Sequence, residues 1–402
     1  MKLSSLALCV LTGISSIHSA DRQALERQIA ALVTNGSVLL NDESGNRLYS
    51  LNPDRLLVPA SIIKILTSAV ALDVLGREYR FRTEFYMDKA GNLAIKGWGD
   101  PFLVSEEIQL IAEALRTKGI TTIQHVCIDH SSFIPGITIP GASQTLNPYD
   151  AINGALVTNF NTLNLKKDAQ GKILSAEEVT PVTPLALSKT HLIKAGAAQR
   201  ISLSENQQEC LRYAGELFIA LFRTSGILVH SDTVSPTIVD KGWTLVHIHR
   251  NSKNLVEVRQ GLQKYSNNFI ANQIFLTVGA EKLGYPASLD KGRTVFEEYV
   301  RTRMSVEPGR LIITEGSGLS RDNKVTGAVM MYILERFKDQ AEVLPVKKNA
   351  LVKSGTLTGV SNYAGYIKTA KGLRPFVIIL NQPAASRDRI LDLLIQYCAE
   401  AG

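Results

Sequence analysis

The sequence predicts a mixed α/β fold (α+β in character), in which an antiparallel sheet is flanked by helices and a smaller α/β module is inserted. Three observations lead there. Strand and hairpin patterns stand near both ends of the chain, apolar helical runs lie between them, and a middle stretch of short strands and turns differs from both. At 402 residues the chain has length for about two domains and ample core.

Taken in order, Lys2 precedes an apolar stretch from Leu6 to Ile14, and small and polar residues follow up to Ala20. That pattern predicts a secretory signal peptide over 1–20, cleaved after Ser19 or Ala20. Cys9 lies too early to be a lipid-attachment cysteine. Asp21 to Thr34 reads as an amphipathic helix ended near Gly36. Ser37–Asn41 and Arg47–Leu51 read as a hairpin around Glu43-Ser44-Gly45-Asn46. A helix from Ser61 to Leu75, ended at Gly76, is apolar almost all round, so it belongs in the centre of a domain. From Glu78 to Trp243 the pattern changes to short strands, with helices at Glu106–Lys118 and Glu205–Ser225. Gly97-Trp98-Gly99-Asp100-Pro101 is a turn by its chemistry, and Asn159-Phe160-Asn161 falls in an alternating segment that begins near Ala155. Phe269 to Val278 is helical. Ala350–Thr356 is a strand, Tyr363–Thr369 and Arg374–Leu380 pair around Lys371-Gly372, and Ser386–Cys398 is a terminal helix with Ser386 as N-cap. The expected division is 21–77 with 245–402 as one split domain and 78–244 as the insertion.

Composition excludes several classes. The net charge of +7 comes from scattered basic residues with no aromatic-interleaved stripe, so nucleic acid is not an expected partner. No stretch after residue 20 is long and apolar enough for a transmembrane anchor. Cys127, Cys210 and Cys398 have no metal-ligand spacing and read as buried apolar residues, with at most one bridge among them. His247 and His249 lie two apart in a strand-like segment, which is poor evidence for a metal. Neither metal nor organic cofactor is called for.

The chemistry concentrates in three places. In Ser61-Ile62-Ile63-Lys64, serine and lysine three apart share one helical face. An unprotonated lysine there takes the serine proton and makes a nucleophile, favoured by the positive end of the helix dipole. Tyr265-Ser266-Asn267-Asn268 offers a hydroxyl able to relay a proton and an amide able to hold a backbone and a lysine together. Taken alone, Ser266 and Asn268 equally suit helix capping. Lys353-Ser354-Gly355-Thr356 supplies a cation, two hydroxyls and a glycine that permits close approach of a substrate backbone. Taken alone, it equally suits an exposed strand end.

In this order and setting, the chain resembles the penicillin-recognising serine hydrolases, whose motifs run S-x-x-K, S-x-N and K-T/S-G. Within them it is similar to the low-molecular-mass class C penicillin-binding proteins, the D-alanyl-D-alanine carboxypeptidase/endopeptidase family. The long insertion between Lys64 and Ser266, Gly99-Asp100-Pro101, Asn159-Phe160-Asn161, Ser266-Asn267-Asn268 and Gly316-Ser317-Gly318-Leu319-Ser320-Arg321 carry that likeness, from about Ala31 to the C-terminus. Ser354 stands where threonine is commoner, Glu315 where aspartate is usual, and the insertion is short for a full third domain.

The resemblance implies a β-lactamase/transpeptidase-like catalytic domain and an exported, periplasmic or cell-wall-associated enzyme. It implies that Ser61 attacks the D-Ala-D-Ala carbonyl, Lys64 is general base and Ser266 passes a proton to the leaving amine. Asn268 would orient Lys64 and the substrate amide. Lys353 would supply positive field, with Gly355 in its motif, while the Ser354 and Thr356 hydroxyls would hold the terminal carboxylate. The backbone N–H groups of Ser61 and Thr356 would form the oxyanion hole, one such donor being worth ~3 kcal/mol. Peptidoglycan peptides are the implied substrates and β-lactam antibiotics the implied covalent inhibitors. Carboxypeptidase and endopeptidase action use the same machinery. A β-lactamase, or a non-catalytic penicillin-sensing or cell-wall-binding module, are the alternatives.

Overall fold

The computed structural model describes residues 21–143, 145–203 and 206–400. The expected signal peptide therefore lies outside the described residues. The chain divides into two compact units: Met1–Ala69 with Val300–Ile313 and Arg321–Gly402, and Val70–Tyr299 with Thr314–Ser320.

The first unit is built on a six-stranded antiparallel sheet. Its order is Val346–Lys347, Ala350–Leu357, Val360–Thr369, Gly372–Leu380, Gly36–Asn41 and Arg47–Leu51. Both expected hairpins are present, and the strand after Leu357 begins at Val360, earlier than the alternation alone suggests. Strand alternation sorts the sheet's residues onto two faces. Val38, Leu40, Val352, Tyr363, Ile367, Phe376 and Ile378 form one core with Leu25 and Ile29 of the N-terminal helix (21–31) and with Ile390, Leu391 and Leu394 of the C-terminal helix Arg387–Glu400. The other face takes helix Gly327–Phe337. There a Cβ on Gly327 would lie 2.7 Å from Leu39 Cδ1, and Tyr366 Oη donates to the Leu334 carbonyl at 2.6 Å. Ser386 stands just before the C-terminal helix, its carbonyl accepting the Ile390 N–H at 3.0 Å, and its hydroxyl donates to the Leu32 carbonyl at 3.1 Å.

The second unit holds a five-stranded mixed sheet, ordered Val234–Pro236, Val126–Asp129, Leu93–Gly97, Arg82–Met87 and Thr244–Arg250. Helices Ser105–Thr117 and Gln207–Thr224 cover it through Ile108, Ile111, Leu115, Leu217, Phe218 and Leu221. A three-stranded sheet, Gln199–Ser202, Thr162–Lys167 and Ile173–Ser175, completes that core. The unit also contains helices Leu255–Tyr265 and Asn268–Leu283, the latter buried almost all round. Cys127, Cys210 and Cys398 are all buried and unbridged.

Candidate active site

Ser61 lies in a one-turn 3-10 segment, Ala60–Ile63, that leads into helix Lys64–Leu75. Ala60 has φ of 47°, a left-handed backbone for a residue with a Cβ. Such a conformation costs about 1–3 kcal/mol and persists where its surroundings enforce it. The segment is anchored by Asn362, whose Nδ2 donates to the Val58 and Pro59 carbonyls at 3.0 and 2.7 Å. Lys64 is 0% exposed, and its Nζ donates to Ser61 Oγ at 2.9 Å. The helical spacing thus delivers the serine–lysine contact that it suggests.

Strand Ala350–Leu357 runs beside this turn. A Cβ on Gly355 would lie 2.7 Å from the Pro59 carbonyl oxygen and 3.0 Å from the Ser61 nitrogen, so only glycine lets the two backbones approach. Lys353 and Gly355 share the face toward Ser61, while Ser354 and Thr356 alternate to the opposite face and are exposed. The turn after Leu357 has two residues, Thr358 and Gly359, and Leu357 pairs with Val360. Antiparallel alternation then turns the Thr356 N–H away from the neighbouring strand, toward the sheet's open edge. Lys353 is 1% exposed, and burial pushes its ammonium down to about 8. Its Nζ donates to the Ser354 carbonyl at 3.2 Å.

The second unit carries Ser266 and Asn268. Ser266 closes helix Leu255–Tyr265 in a left-handed conformation, φ 51°. The cap of the next helix is Asn267, whose side chain accepts from the Ile270 N–H at 3.0 Å. Asn268 is the first residue inside that helix. Asn267, between the two, thus takes the N-cap, while Ser266 ends the preceding helix as its C-cap. Ile139, Tyr149, Asn153, Phe269 and Leu319 line a small cleft beside Asn268.

Two supports of this unit escape a reading by motif. The Asn159-Phe160-Asn161 segment is no extended strand: its three φ values are 46°, 61° and 51°, a left-handed turn. The Asn159 side chain accepts from the Ser105 N–H at 3.0 Å and donates to Ser105 Oγ at 3.0 Å. Phe160 is thereby held edge-on to Phe102 and Phe269. Gln273 donates to the Gly99 and Gly154 carbonyls at 3.0 Å each, tying the Gly99-Asp100-Pro101 turn to the Asn268 helix. Glu315, the departure from aspartate, is 0% exposed and accepts from the Ser317 hydroxyl and from the N–H groups of Ser317 and Gly318, at 2.6 to 2.7 Å. Its longer side chain still builds the glycine-serine-glycine turn.

His249 Nε2 lies 2.7 Å from the buried Glu107 carboxylate, an internal pairing. Among the described residues no cluster of three or more His, Cys, Asp or Glu is placed to hold a metal ion. No described helix is long and apolar enough to cross a membrane.

A nucleophile bonded to a buried lysine, beside a glycine-bearing strand with an outward N–H, is the equipment of a serine-type acyl-transfer enzyme. The sequence profile of the D-Ala-D-Ala carboxypeptidase 3 (S13) family matches residues 16–200 and 194–348, and the chain belongs to that family. The D-alanyl-D-alanine carboxypeptidase of Actinomadura sp. (strain R39) is 26% identical over 90% of this chain and 81% of its own. The crystal structure of penicillin binding protein 4 (dacB) from Haemophilus influenzae superposes with TM-score 0.74 at 19% identity, covering 94% of this chain and 99% of that one. The predatory peptidoglycan endopeptidase Bd3459 from Bdellovibrio bacteriovorus has the same fold at TM-score 0.53 and 16% identity, over 90% of each chain.

Proposed function

We propose that the chain is a penicillin-sensitive DD-peptidase that cleaves D-alanyl bonds of peptidoglycan stem peptides through an acyl-enzyme on Ser61. The observation that carries this reading is the 2.9 Å bond from Lys64 to Ser61 inside a buried helix head. The Ser61 oxygen attacks the penultimate D-alanine carbonyl while its proton passes to a neutral Lys64. Negative charge gathers on the carbonyl oxygen, for which the Ser61 and Thr356 N–H groups are the donors. The C–N bond breaks as Ser266 hands its proton to the departing D-alanine amine and is re-protonated by Lys64, which becomes neutral again. Water then attacks the ester, Lys64 takes the water proton and returns it to Ser61 as the ester C–O bond breaks, and the shortened peptide leaves. Asn268 orients Lys64 and the substrate amide. Lys353 supplies the cationic field from the Ser61 side of the strand, and the exposed Ser354 and Thr356 hydroxyls hold the terminal carboxylate at the strand's open edge. No step needs a metal or an organic cofactor.

A β-lactam acylates the same serine by opening its ring, and the resulting ester hydrolyses slowly. Residues 1–20 direct export, which places the enzyme in the periplasm or at the cell wall. The 78–244 module is an accessory domain inserted into the catalytic domain, itself split between 21–77 and 245–402. The similar proteins include a D-alanyl-D-alanine carboxypeptidase and a peptidoglycan endopeptidase, so both outcomes are to be tested. Incubation with a pentapeptide and a cross-linked muropeptide, read by mass spectrometry, tests this. Release of D-alanine or of the cross-bridge, lost in S61A, is expected. Unchanged substrates, or activity retained in S61A, contradict it. Rapid nitrocefin turnover would instead favour a β-lactamase.

A further inference from the structure

Arg387 belongs to none of the three motifs, yet it reaches the third. It opens the C-terminal helix, and its Nη1 donates to Thr356 Oγ1 at 2.7 Å and lies 3.2 Å from the Gly355 carbonyl oxygen. Its Cζ sits 4.4 Å from the centroid of the Tyr363 ring. Tyr363 stands opposite Ser354 in the strand register, so the ring is fixed by the sheet. The neighbouring carboxylate, Asp388, is engaged elsewhere: Lys347 pairs with it at 2.9 Å and Tyr363 Oη donates to it at 3.1 Å.

A threonine hydroxyl has one donor and two acceptor positions, whereas a guanidinium can only donate. We infer that Arg387 is a positioning residue for carboxylate recognition, acting through the Thr356 hydroxyl. By filling an acceptor position of Oγ1, it leaves the single O–H of Thr356 to donate to an anion at the exposed strand edge. The nearby fixed cation strengthens that donor for a carboxylate over a neutral group. Stacking on Tyr363 holds the guanidinium plane, which a flexible ammonium cannot reproduce. The inference rests on the reading of Thr356 as a carboxylate clamp.

The test compares acylation rate constants for a penicillin with a free carboxylate and for its methyl ester. The proteins are the parent, R387Q, R387K, T356V and the R387Q/T356V double variant. The acid-to-ester rate ratio is expected to fall about tenfold in R387Q and in T356V, with no further fall in the double variant. R387K should recover part of the ratio. An R387Q variant that slows both compounds alike, keeps the ratio, or adds its full loss to that of T356V overturns the relay. A T356V variant that keeps the ratio removes the clamp reading and the relay with it. If T356V loses the ratio and R387Q keeps it, the clamp stands and only the role of Arg387 fails. Acylation of S61A at the parent rate would strike at the proposed function itself.

Discussion

Lys64 and Lys353 are both almost fully buried in the first unit, but the mechanism asks opposite things of them. Lys64 must accept a proton, and Lys353 must keep one to attract an anion. Burial brings Lys353 down to about 8, so it is mostly charged at neutral pH and loses that charge as pH rises through about 8. Acylation by a free-acid penicillin should therefore decline above about pH 8, and K353R should move that limb upward because guanidinium stays charged. A pH–rate profile of the two proteins checks this. Replacement of Lys64 by alanine should slow acylation by a factor of at least about 100, within the range for removing a general base. Stopped-flow acylation measures it, and parent-like rates would exclude Lys64 as base. A Cβ at 355 meets backbone, not a pliable side chain, so G355A must displace the nucleophile's turn. A loss of about 100-fold in acylation rate is expected from such a misplacement. The serine–lysine pair was legible because helical spacing fixes it. Arg387 was not, because its contact joins residues 31 apart through the sheet.

The elements that carry the other motif residues are held by buried polar side chains. Asn159 supports a left-handed turn and satisfies the Ser105 N–H at the start of a helix. N159A should lower stability by about 2–3 kcal/mol, read as a reduced thermal midpoint, because it removes the cap and a residue type that tolerates this backbone. Asp100, in the turn fastened by Gln273, accepts from Asn251 Nδ2 and the Phe102 N–H at 2.8 Å each. Burial nonetheless raises its carboxyl to about 6. Its folded value exceeds its unfolded value near 4, so the fold favours the protonated form. That contribution is complete below about pH 4 and is lost as pH rises through about 6. Chemical denaturation across this range should show that slope in the parent and not in D100N. Hairpins and amphipathic helices were readable from their periods. The Asn159-Phe160-Asn161 turn was not, since alternation of side-chain type looks the same whether the chain runs straight or coils left-handed. Nor could spacing separate Asn267, the actual helix cap, from its neighbours Ser266 and Asn268.

At the scale of the molecule, the outer sheet was foreseeable because its strands come from both chain ends and each carries a clear two-residue period. The two-unit partition was less so, since it depends on contacts such as Gln273 to Gly99 that no local pattern encodes. Export predicts that the mature protein begins at Ala20 or Asp21, which N-terminal sequencing of the secreted product decides. Everything in the proposed reaction depends on Ser61 being the residue acylated. The most direct test is to react the mature protein with a labelled penicillin, digest it and locate the label by mass spectrometry. One equivalent on the peptide containing Ser61, and none in S61A, is expected. A label on another residue, or a parent protein left unmodified, would contradict it.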